Sequence, residues 1–159
     1  MKSLRLSSLP VSTVVIALLM AATSPGAHAA GYDDVVLDAN AIAQLEQQAA
    51  IAQPKDQCFL YTEVVHGLTE IAGKQLADGQ EEQAATTLQH IQTVSTKMQH
   101  LMLKDAKKLK NAEQLMDHTT RRLGDMLHLT SDATRTKLQS VLQKLNEQHS
   151  AILNEVFSH

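Results

Sequence analysis

Seven histidines follow residue 30: His66, His90, His100, His118, His128, His149 and His159. Imidazole binds transition metals and titrates near neutral pH, so its spacing is the first thing to weigh. Glu63-Val-Val-His66 is a Glu-x-x-His step. On a helix it turns both side chains to one face, as in di-metal bundles, which pair two such steps with two more carboxylates. The chain has only one such step, and Glu63 and His66 are its candidate metal ligands. His90 and His100 are ten residues apart, about 80° around a helix axis. Met98, Met102, Met116 and Met126 are soft donors that suit copper or haem. No Cys-x-x-Cys-His step is present for covalent haem. Methionine at helical spacing is more often core filling. No cofactor is therefore expected, with a metal or haem as the alternative.

Cys58 is the one cysteine, so no internal disulfide forms and packing alone must hold the fold. It stands near the start of an expected helix, beside an apolar face. It is read as a buried thiol, the alternative being an exposed one that pairs with a partner in an oxidising compartment. Lys104, Lys107, Lys108 and Lys110 form a basic run. Residues 30–96 carry a net charge of −8 and residues 97–122 carry +4. The basic run is the candidate docking site for an anionic protein surface or for the acidic half of a second copy. The plainer reading is a solvated helix face. There is no phosphate-cradling glycine loop and no nucleophile elbow, so the chain is not read as an enzyme.

The elements that must position these residues are helices. From Gln80 to Leu129 there is no proline and one glycine, Gly124. Leu88, Ile91, Val94, Met98, Leu101, Met102, Ala106, Leu109, Ala112, Leu115, Met116, Leu123, Met126 and Leu127 recur at three- and four-residue steps. This predicts one continuous helix, about 75 Å long at 1.5 Å per residue. The alternative is a break near 104–111, where lysines thin the stripe, giving a four-helix bundle. Asp38 caps a short helix from Ala39 to about Gln53. A second helix starts at Pro54 or Lys55 and runs to Asp78, with Gly79 as its C-cap. Thr130 or Ser131 caps a last helix that runs to the chain's end. The second and last helices fold back on the two halves of the long one. The fold class is all-α: an elongated antiparallel bundle on one long central helix.

Residues 1–29 have the layout of a secretory signal peptide. Lys2 and Arg5 precede a twelve-residue apolar run, Val11 to Ala22, and Ala27-His28-Ala29 ends it. A run of twelve residues is too short to cross a bilayer, which needs roughly twenty. Cleavage leaves a single helical domain from residue 30 to 159 with a net charge of −5. That charge argues against nucleic acid. The expected location is the periplasm or the outside of the cell.

Ala43 to Ile91 resembles a tetratricopeptide unit. Leu45-Glu46-Gln47-Gln48-Ala49 before Pro54 resembles the end of one repeat, and Ala72 to Ala84 the inner turn of the next. The resemblance covers about one and a half repeats, and the 34-residue period does not continue downstream. It implies an antiparallel helix hairpin. Three functions fit these observations. The first is an exported, non-catalytic module of the cell envelope that binds protein or itself. The second is a metal- or haem-binding bundle. The third is a small periplasmic chaperone, although the paired Leu-Thr-x-x-Gln signature of that family is absent.

Overall fold

The computed structural model describes residues 38–101 and 108–158. The signal-peptide segment and Lys104 and Lys107 lie outside the described residues. The described chain is all-α, with five helices: α1 (Ala39–Ile51), α2 (Pro54–Ala77), α3 (Glu81–Gln99), α4 (Leu109–Met126) and α5 (Asp132–Phe157). A short 3-10 turn, Leu127–Leu129, follows α4.

Local chemistry sets most of the boundaries. Asp38 Oδ1 accepts from the Ala41 amide at 2.7 Å and caps α1. Pro54 opens α2, where its missing N–H costs nothing. Gly79 closes α2 with φ +73, a conformation that glycine adopts without strain. The Gln80 amide reaches back to the Gln75 carbonyl at 2.7 Å and the Gly79 amide to Leu76 at 3.1 Å, the Schellman pattern. Ser131 holds the N-cap position of α5, but its hydroxyl donates to Glu81 at the start of α3 instead of capping. Arg135 closes the same corner, donating to the Thr130 carbonyl at 2.9 Å and the Leu127 carbonyl at 3.3 Å.

The stretch from Gln80 to Leu129 is two helices. α3 ends at Gln99, and α4 begins after Lys108, whose φ of 58 is left-handed. The continuous helix is thus corrected to the alternative break. The reason is burial. A continuous helix would give the second half of the stripe only α5 to pack on. Folded back, α4 buries Ala112, Leu115, Met116, Leu123 and Met126 against α2 and α5.

Two helical hairpins result, α2–α3 and α4–α5. They lie side by side, with α2 against α4 and α3 against α5. Paired residues keep a near-constant offset: Glu70 meets Arg122, Gln92 meets Lys144, and Ser95 meets Gln148. Each helix therefore runs parallel to its counterpart. α3 and α4 occupy opposite corners. α1 packs along α2. The core between the hairpins holds Val64, Leu88, Ile91, Met98, Met116, Leu123, Leu138, Leu145 and Ile152, all essentially inaccessible to solvent. Buried threonines avoid orphaned hydroxyls by bonding back into their own helices. Thr62, Thr69 and Thr119 each donate to the carbonyl four residues earlier.

Candidate functional site

Glu63 and His66 lie on the face of α2 that meets α4. Thr119 on α4 gives its hydroxyl proton to the Leu115 carbonyl at 2.6 Å, leaving its oxygen as an acceptor. His66 Nδ1 lies 3.1 Å from that oxygen and so is the protonated nitrogen. His118, an exposed residue on α4, places its ring 5.5 Å from His66, tilted by 56°. Glu63, one turn before His66, is half-buried, and burial raises its carboxyl above the usual range against the opposing pull of Lys108. The Lys108 ammonium sits 4.7 Å from the centre of the Phe59 ring, a cation–π contact. Further along the seam, Arg122 reaches Glu70 at 3.4 Å. Gly73 lets Met126 approach so closely that a Cβ there would lie 2.6 Å from its methyl carbon.

The α2–α4 seam thus carries Lys108 with Phe59 and Glu63, then His66 with Thr119 and His118, then Glu70 with Arg122. Such a row orients two helices. Among the described residues, no three His, Cys, Asp or Glu side chains gather where they could hold one metal ion. The Glu63–His66 step has an imidazole facing it across the seam, without the extra carboxylates of a di-metal bundle.

Two other histidines tie helices together. His149 on α5 lies 3.1 Å from Glu113 on α4. His90 on α3 lies 2.8 Å from Glu46 on α1, and Lys97 reaches the same carboxylate at 2.7 Å. Burial works to raise the Glu46 carboxyl, but the bonds from Lys97 and His90 outweigh it and hold the group below its ordinary value. Burial pushes the Cys58 thiol up to about 11, and no part of it is exposed. The helix N-terminus, which lowers a thiol's pKa where water reaches it, is outweighed here by desolvation. Of the basic run, Lys108 is turned onto Phe59 within its own chain, and Lys110 is exposed.

Sequence spacing placed Glu63 and His66 on one face. It did not find His118, or the pairings of His90 with Glu46 and His149 with Glu113. These join residues 36 to 52 positions apart. Helical periodicity says which side of a helix a residue faces, but not which helix it meets. Comparison with protein-family models, curated proteins and solved structures finds no significant match to this chain.

Proposed function

We propose that this chain is an exported, non-catalytic helical module of the cell envelope that works by binding protein. The observation that carries the reading is how its reactive side chains are used. His66, His90 and His149 each tie one helix to another, and Cys58 is sealed in the core. Side chains committed to holding helices together favour a scaffold over an active centre. Exposed Ile51, Leu129 and Phe157 at helix ends offer apolar contact to a partner. No helix among the described residues is long and apolar enough to cross a membrane. The signal-peptide layout of residues 1–29 supports release into the periplasm or medium.

The basic run, Lys104, Lys107, Lys108 and Lys110, is the electrostatic part of the docking surface in this reading, with Lys108 shared with Phe59 and Glu63. The test is capture of envelope proteins on the immobilised chain at low and high salt, beside a Lys104→Gln, Lys107→Gln, Lys110→Gln variant. Salt-sensitive capture that the variant loses supports the reading. Capture that ignores both salt and the lysines removes the basic run from the interface. N-terminal sequencing of the protein recovered from its host tests export, and a retained Met1 sinks it.

The His66–His118 pair favours a second reading. Two imidazoles on neighbouring helices with ring centres 5.5 Å apart are of a residue type suited to copper, nickel or zinc. Equilibrium dialysis against Cu²⁺, with His118→Ala as the comparison, decides it. Equal uptake by both chains removes the site.

A further inference from the structure

We infer that α1 is a strap clasped to the rest of the bundle through one carboxylate, and that acid releases it by protonating Glu46. The strap goes beyond the binding-module reading and is tested apart from it.

The architecture sets α1 apart. The other four helices close on one another as a ring, α2 on α3, α3 on α5, α5 on α4 and α4 on α2. α1 lies outside that ring, packed on α2. Of its 13 residues only Ile42 and Ala49 are buried, so few apolar contacts resist its opening. A helix that short is marginal on its own in water, so α1 unwinds once it leaves α2. The junction lets it leave alone. Ala52 and Gln53 are extended, with ψ of 161 and 143, and Pro54 opens α2 with no N–H to give back to α1. A long bond bridges the corner, from Gln57 Nε2 to the Ala50 carbonyl at 3.3 Å. The hydrogen-bond ladder of α2 stays whole when α1 opens.

The hold on α1 is electrostatic and concentrated. Glu46 is the only charged residue in the helix. Its two oxygens take separate partners on α3. Oε2 lies 2.8 Å from His90 Nε2, and Oε1 accepts from Lys97 Nζ at 2.7 Å. α2 adds Tyr61, whose ring centre is 5.8 Å from the Lys97 ammonium. In acid an ammonium and an imidazole are both cationic, so the carboxylate is the member of the clasp that loses its charge. Protonation also leaves two cations on α3 turned to a group that no longer neutralises them.

The sign of the effect follows. Burial works to raise the Glu46 carboxyl, but the bonds from Lys97 and His90 hold it below 4.5. The clasp therefore stabilises closed α1 above 4.5, and that contribution is lost as pH falls through the lowered folded value. The Glu113–His149 pair has the same chemistry inside the ring. There α4 and α5 bury Leu115, Met116, Leu145 and Ile152 in the core, so loss of the pair leaves both helices in place. α1 has no such reserve. Its release uncovers the apolar surface on which Ile42 and Ala49 rest, part of the one core cluster that is covered while the clasp is closed.

The test uses the full chain, purified as the cell leaves it, and hydrogen exchange read by mass spectrometry from pH 7 to pH 3. Each segment is corrected for the exchange rate of the unfolded chain at the same pH. Protection of residues 39–51 should hold from pH 7 to about 5 and fall by about tenfold or more towards pH 3, while α2, α3, α4 and α5 keep theirs. Glu46→Gln fixes the uncharged state, so α1 should have lost that protection already at pH 7 and should lose no more in acid. His90→Gln removes one of the two bonds that hold the carboxyl down, so the acid midpoint of α1 should move up towards 4.5. Loss of protection in every helix at one pH makes the transition global and overturns the inference. An α1 that stays protected to pH 3, an acid profile that Glu46→Gln leaves unchanged, or a midpoint that His90→Gln does not move overturns it as well. Salt-sensitive capture of envelope protein at pH 7, where α1 is closed, tests the module reading separately, and either result there leaves the strap standing.

Discussion

A thiol reagent added to the native chain should find Cys58 almost inert, and the size of the effect follows from its surroundings. Burial lifts the thiol from 9.0 to about 11. At pH 8 the reactive thiolate then falls from about one molecule in ten to about one in a thousand, a hundredfold loss before access is considered. Reaction directly from the native state is further blocked, since no part of the residue is exposed. The other route is through opening of the start of α2, where the thiol regains its ordinary acidity. An opening free energy of only about 3 kcal/mol holds that population near one in a hundred. Either route slows labelling by about a hundredfold or more relative to the unfolded chain. The assay is the absorbance of an aromatic disulfide reagent, followed in buffer and in rising urea. The rate should climb with denaturant as opening becomes cheaper. A native rate within about tenfold of the unfolded rate, or a mixed disulfide at Cys58 on protein isolated from an oxidising compartment, would refute the burial argument. It would also restore the exposed, partner-pairing thiol.

Three further perturbations test the packing and the seam. Leu145→Ala removes a side chain with no exposure from between the hairpins and should cost about 2–5 kcal/mol in urea unfolding. Gln148 is buried on α5, donating to the Ser95 carbonyl while its own Oε1 finds no partner. Gln148→Leu should therefore be neutral or stabilising by up to about 2 kcal/mol, and a clear loss would show that the amide is better satisfied than its geometry implies. Glu63 is raised by burial, so the folded chain holds its proton more tightly than the unfolded chain. The stabilising contribution of that proton is fully present below the unfolded value of 4.5 and is lost as pH rises through the raised folded value. Urea midpoints from pH 4 to 7 should show that Glu63→Gln removes this fall, and identical profiles for both chains would show that Glu63 is not desolvated.

The parts of this fold legible in the sequence are those fixed by neighbours along the chain. Asp38, Pro54 and Gly79 each act on backbone groups within a turn of themselves, and each marks the boundary its chemistry demands. Burial of Leu88, Leu145 and Ile152 follows from their spacing, because period alone tells which face of a helix is apolar. Ser131 shows where this reasoning stops. Its type and position suit a cap, yet its hydroxyl goes to Glu81, fifty residues away, which also takes a bond from Thr134. The candidate site behaves in the same way. The Glu63–His66 step was visible, but Thr119 and His118 come from α4. They reach His66 only because the hairpins pack with a constant offset. Nothing local encodes that offset.

The break between α3 and α4 carries the same lesson further. A periodic stripe specifies that one face must be covered, but not by which copy of which helix. The stretch from Gln80 to Leu129 satisfies its stripe by folding back on α2 and α5 of its own chain, at the expense of one left-handed lysine and exposed Ile51 and Phe157.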